Sequence, residues 1–201
     1  ETNWRLADQY QVPRMIFANK MDKVGADFYD CVKSVHEKLG VQGVPIQLPI
    51  GAEGSFKGIV DLVEMNAHVW NGEELGATFE IAEIPADLKE KAAQYREGLI
   101  EALADHDDAL AANFLEGKAI SKEEIKRVLR KATISGKFFP MMCGSSFKNK
   151  GVQPMLEAVC DYLPSPLDVK PTVGHEPNSE VELIREPKDD APFAALAFKI
   201  Q

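Results

Sequence analysis

The order of apolar and polar positions divides the chain into a helix-strand-helix opening, a strand-rich middle, a helical stretch and a closing strand-helix pair. Glu1 to Tyr10 reads as helix and Val12 to Ala18 as a strand whose Met15-Ile16-Phe17-Ala18 run is apolar throughout. Ala26 to Leu39 places Phe28, Val32 and Val35 on one side of a second helix, completing a β-α crossover unit. The pattern then changes. Val44-Pro45-Ile46-Gln47-Leu48-Pro49-Ile50 and Lys57-Gly58-Ile59-Val60-Asp61-Leu62-Val63, parted by Gly51 to Ser55, predict two strands, and Ala67 to Trp70 a third. Ile84-Pro85-Ala86-Asp87 opens a long helix to about Asp105, with Leu88, Ala92, Tyr95, Leu99, Ala102 and Leu103 at helical spacing. Ser121-Lys122-Glu123-Glu124 is a capping box for a further helix ending near Gly136. Phe138-Phe139-Pro140-Met141-Met142 predicts another buried strand, followed by a helix from near Gly151.

Two of these strands end in chemistry. Asn19-Lys20-Met21-Asp22 is a polar tip on a buried strand, the position at which open α/β sheets bind ligands. A carboxylate at Asp22 accepts two parallel hydrogen bonds from N1 and the exocyclic amine of guanine, a donor pair that adenine lacks. Asn19 either bonds N7 or braces the neighbouring loop, and the Lys20 stem covers one purine face. The competing reading makes Asp22 the cap of the following helix. The second tip, Cys143-Gly144-Ser145-Ser146, is built of small residues that let backbone approach a ligand, and a backbone amide at Ser146 suits the guanine O6. Its competing reading is a plain polar turn into the next helix.

With these residues in hand, the chain resembles the elongation factor G family of translational GTPases from its first residues to its last. Asn19-Lys20-Met21-Asp22 looks like the family's guanine-specificity motif. Cys143-Gly144-Ser145-Ser146-Phe147-Lys148-Asn149-Lys150-Gly151 looks like its last GTPase motif, with Ser145-Ser146 where the family commonly has Ser-Ala. Asp161 to Pro166 resembles the exit from the GTPase domain, and Ala191 to Ile200 the first strand of a β-barrel domain. The resemblance implies an α/β fold: a partial P-loop GTPase sheet holding only its C-terminal strands, an inserted α+β subdomain and the start of a β-barrel. It divides the chain at 1–40, 41–136, 137–163 and 164–201. It implies binding of GTP or GDP through Asn19, Lys20, Met21, Asp22, Gly144, Ser145, Ser146 and Phe147. It further implies a ribosome partner, with the insert helices between Pro85 and Gly136 facing the stalk protein. Peptide release factor three and the ribosomal protection proteins share the guanine loops.

The chain carries no G-x-x-x-x-G-K-[ST] phosphate loop. The family's magnesium ligands and catalytic residues would precede Glu1, so the chain reads as an inactive fragment of a GTPase parent. The alternative function is a protein-interaction module acting through the insert alone. A net charge of -9, from 23 basic and 32 acidic residues, opposes nonspecific attachment to phosphate backbones. The cluster Lys122, Lys126, Arg127, Arg130, Lys131 and Lys137 reads as a solvated face. No apolar run reaches membrane length, and three cysteines without metal spacing fit a reducing cytoplasm.

About a hundred residues between adjacent sheet strands require a subdomain with its own small core. His36, His68, His106 and His175 lack zinc spacing, and Trp4 and Trp70 read as packing residues. After Pro164 the proline-punctuated stretch reads as a linker to an orphan strand at Phe193 to Ile200. That strand, and the edge left at Met15 to Ala18, are candidate dimerisation edges.

Overall fold

The computed structural model describes residues 1–71, 76, 78–176, 178–195, 197 and 199. It forms two compact units, Glu1–Leu163 and Pro164–Gln201. The fold is α/β, with a parallel sheet, flanking helices and an inserted antiparallel sheet with its own helices.

The first sheet joins β1 (Ile16–Ala18), β7 (Phe139–Cys143) and β2 (Gly43–Pro45) in the order β1-β7-β2, all parallel. The middle strand β7 is buried along its whole length, as a strand covered on both faces must be. Helix α1 (Thr2–Gln9) precedes β1. Helix α2 (Phe28–Leu39) follows it and starts on Asp27, whose carboxylate accepts the amides of Tyr29 at 2.7 Å and Asp30 at 3.1 Å. It ends on left-handed Gly40 (φ 67°), the usual helix stop. Helix α6 (Val152–Tyr162) leaves β7 through Gly151 and buries Pro154, Ala158 and Tyr162, four residues apart, on one stripe.

The run expected as one strand over Val44 to Ile50 is divided between two sheets. Gly43–Pro45 pairs with β7, whereas β3 (Gln47–Ile50) pairs with β4 (Gly58–Asp61). Ile46 is the crossing point. Its N–H donates to the Met141 carbonyl at 3.0 Å, and its carbonyl accepts the Leu62 amide at 3.0 Å. The second sheet continues antiparallel through β5 (Asn66–Val69) to β6 (Glu80–Ala82).

Over this sheet lie α3 (Ala86–Ala104), α4 (Asp108–Leu115) and α5 (Lys122–Ile134). The Ser121 hydroxyl caps α5 by accepting the Glu124 amide at 3.1 Å, and the helix buries Ile125, Val128, Leu129 and Ala132 at helical spacing. Arg96 of α3 donates to the carbonyls of Leu62 at 2.6 Å and Val63 at 2.7 Å, tying the helix to the end of β4. Neither β6 nor α4 was expected from the sequence pattern.

The insert does not have a core of its own. One apolar cluster runs from Ala18, Met21 and Met141 of the first sheet through Ile46 and Leu48 to Leu99, Leu110 and Leu129 among the insert helices. Ile46, bonded to both Met141 and Leu62, joins the two sheets within this cluster.

Within Pro164–Gln201, the stretch expected as a linker forms a hairpin of β8 (Thr172–His175) and β9 (Glu182–Arg185). The strand expected over Phe193 to Ile200 falls partly on positions outside the described residues. Phe193 to Ala195 are irregular.

Candidate functional site

Both polar tips lie at the C-terminal ends of adjacent parallel strands. β1 and β7 pair in register, Ala18 opposite Cys143, so Asn19 and Gly144 leave the sheet side by side. The two loops are cross-bonded at once. Gly144 N–H donates to the Ala18 carbonyl at 3.0 Å, and Met21 N–H donates to the Gly144 carbonyl at 3.1 Å. A Cβ on Gly144 would stand 2.5 Å from the Lys150 carbonyl oxygen and 2.6 Å from the Phe17 ring, so only glycine fits. Ser145 and Lys150 then exchange backbone bonds of 2.8 and 3.0 Å, closing the second loop into a tight ring. Met21 is buried as the anchor of the first loop, and Lys20 before it takes a left-handed φ of 64°.

Asn19 braces. Its Oδ1 accepts from Lys20 N at 2.8 Å and from both the amide and the hydroxyl of Ser146 at 3.0 Å. Of the two roles considered for Asn19, this is the bracing one. The amide expected to be available for a purine O6 is engaged by the neighbouring loop.

Asp22 does not cap helix α2, because Asp27 does. The Asp22 carboxylate is 3% exposed, yet among the described residues its Oδ1 has no hydrogen-bond partner. Its Oδ2 lies 3.6 Å from the Lys148 ammonium and 3.9 Å from that of Lys23. The Ser145 hydroxyl, itself buried and without a bond of good geometry, is the largest influence holding the carboxyl below its ordinary range. Burial opposes it, while the residue's own amide, Lys148 and Lys23 add to it. The group is therefore an ionised acceptor with one oxygen unused, the arrangement that recognises a pair of N–H donors. Lys20, Ser146 and Phe147, on the same two loops, are exposed, Phe147 at 86%.

A residue that sequence reasoning missed also reaches this site. Glu53, in the 3-10 turn Glu53–Ser55 between β3 and β4, accepts the Gly25 amide on Oε1 at 2.7 Å and donates its own N–H to the Met21 carbonyl at 2.9 Å. The only local signal is the turn composition Gly51-Ala52-Glu53-Gly54.

The basic residues of α5 are spent inside the molecule. Lys122 and Lys126 pair with Glu64 at 2.9 and 2.7 Å, and Arg127 and Lys131 pair with Asp107 at 3.1 and 2.9 Å. Arg130 donates to the Asp161 and Leu163 carbonyls at the end of α6, at 2.9 and 3.1 Å. Trp4 packs on Phe139 and Trp70 on Phe79. Among the described residues no helix is long and apolar enough to cross a membrane.

Comparison with known proteins bears on the family and the fold. The model of the elongation factor Tu GTP binding domain matches residues 1–165. A crystal structure of a protein from Thermus thermophilus superposes with a TM-score of 0.73 at 27% identity, covering 86% of this chain and 26% of that one. The chain thus spans about a quarter of the length of that structure.

Proposed function

Since the chain belongs to the elongation factor Tu GTP-binding domain family, we propose that it is the base-recognition part of a ribosomal translocase GTPase of the elongation factor G type. Its fold is consistent with the C-terminal portion of a P-loop GTPase sheet. The parent would couple GTP hydrolysis to movement of tRNA and mRNA during elongation, in the cytoplasm. The observation that carries this reading is the buried Asp22 carboxylate with an unpartnered Oδ1, set between the two strand tips.

In the bound state Asp22 accepts the guanine N1 and exocyclic amine hydrogens. The Lys20 stem and Phe147 border the purine. Met21 and Gly144 hold the two loops together by their backbone, and the buried Ser145 hydroxyl supports the carboxylate. For O6 to receive the Ser146 amide, the Asn19 side chain yields that bond and keeps the Ser146 hydroxyl. Phosphate binding, magnesium and hydrolysis are assigned to no residue of this chain, which lacks a phosphate loop. The insert helices α3 to α5 are the proposed face toward the ribosomal stalk, and β1, an edge strand of its sheet, is a proposed self-association edge.

The deciding experiment is ligand-observed NMR of the chain with GDP, ADP and xanthosine diphosphate, for the wild type and Asp22→Asn. Selective GDP contact that moves toward xanthosine diphosphate in the variant is the expected result. Equal contact by all three nucleotides in both proteins would overturn the assignment.

A further inference from the structure

The turn between β3 and β4 belongs to the insert, yet it makes three hydrogen bonds to the loops that carry the candidate base site. Glu53 N–H donates to Met21 O at 2.9 Å, Gly25 N–H donates to Glu53 Oε1 at 2.7 Å, and the Lys150 ammonium donates to Phe56 O at 3.2 Å. The first two bonds fall on either side of Asp22. Met21 is thereby fixed from two directions, by the Gly144 carbonyl on its N–H and by Glu53 on its carbonyl. Gly25, exposed and left-handed at φ 80°, has no packing of its own to hold it, since a Cβ there would meet nothing within 4 Å.

The turn is shaped for this contact. Glu53 takes φ 52°, a conformation that costs a residue with a side chain about 1 kcal/mol and persists only where surroundings enforce it. The enforcement is local. Ser55 Oγ donates to the Ala52 carbonyl at 2.7 Å and accepts the Ala52 amide at 3.2 Å. Gly51 (φ 76°) lies so close that a Cβ would sit 2.2 Å from the Ser55 carbonyl oxygen. With the backbone turned this way, both the N–H and the carboxylate of Glu53 point at the same short arch of the first loop.

We infer that Glu53 is a positioning residue for base selection, holding the Met21 to Gly25 arch so that the Asp22 carboxylate stands at a fixed place in the site. The inference rests on the base-recognition reading proposed above. It adds that the insert, through one side chain, sets how sharply the site discriminates. Glu53 does not touch the base.

Two variants separate a specific clamp from a general loss of structure. Glu53→Ala removes the acceptor for Gly25, whereas Glu53→Gln keeps a carbonyl oxygen at the same reach. In the nucleotide-free chain, Glu53→Ala is expected to speed hydrogen exchange at the Gly25 amide by about tenfold and Glu53→Gln by far less. With nucleotide, the preference for GDP over ADP is expected to fall about fivefold in Glu53→Ala and to hold in Glu53→Gln. Wild-type Gly25 exchange and GDP preference in Glu53→Ala, or equal loss in both variants, would overturn the inference. Absence of any base preference in the wild type counts against the proposed function instead, and Gly25 exchange then decides whether the clamp exists.

Discussion

Asn19 Oδ1 stands 3.0 Å from both the backbone nitrogen and the hydroxyl of Ser146, so one amide oxygen ties together two loop tips that are 127 positions apart in the chain. The parallel pairing of β1 with β7 delivers the two residues to that distance, and the bond then fixes the floor of the candidate base site.

Asn19→Ala should therefore loosen the second loop more than it destabilises the protein. The bonds lost are solvent-exposed, and a cost of about 1–2 kcal/mol in chemical denaturation is expected. Hydrogen exchange at the Ser146 amide should rise in the same variant. Unchanged exchange there would show that the bond does not hold the loop.

Two glycines give opposite expectations for the same substitution. Gly144→Ala forces a Cβ against the Lys150 carbonyl and the Phe17 ring, and should cost about 1–3 kcal/mol. Gly98 lies exposed inside α3, with nothing within 4 Å of an added Cβ, so Gly98→Ala should stabilise by about 0.5–1 kcal/mol. Thermal midpoints of the two variants on either side of the wild type are the expected readout.

Asp107 supplies a pH dependence. Arg127 first, then Lys131, with help from the Leu110 amide that it caps, hold its carboxyl well below the ordinary carboxylate range, against the opposing effect of burial. A carboxyl with a depressed folded value stabilises the fold above the unfolded value near 4, and that contribution is lost as pH falls below it. Asp107→Asn keeps the helix cap but not the charge. It should be less stable than the wild type by about 1–2 kcal/mol at pH 7, with the gap closing as the pH drops from 4 toward 2. A gap that stays constant with pH would refute the ion-pair account.

Arg130→Met tests the capping of α6 from α5. The guanidinium meets the last carbonyls of the helix, where positive charge is favourable, and its loss should cost about 1–2 kcal/mol by urea unfolding. A variant as stable as the wild type would show that solvent satisfies those carbonyls equally well.

The sequence made the site residues visible where their spacing is local. Asn19 to Asp22 and Gly144 to Phe147 are short tips on apolar runs, and strand polarity alone puts them at one edge. Which atoms are free could not be read that way. That Asn19 occupies the Ser146 amide, and that Asp27 rather than Asp22 caps α2, depends on distances set by the fold. Glu53 was hidden for the same reason, since its contacts lie 28 and more positions away and require a left-handed backbone. The run from Val44 to Ile50 looked like one strand because both halves are almost wholly buried, and a mostly apolar run, broken only by Gln47, carries no mark of a change of sheet. β6 is only three residues long and exposed, so the alternation of Phe79, Glu80 and Ile81 at its start is too short to mark a strand.

The single apolar cluster that spans both sheets predicts that Glu1–Leu163 unfolds as one cooperative unit. Opening of the loops around Asp22 and opening of the insert helices then draw on a shared free energy. A molecule that binds either end would then stabilise the other by mass action, with no displaced strand or hinge needed to carry the effect between them.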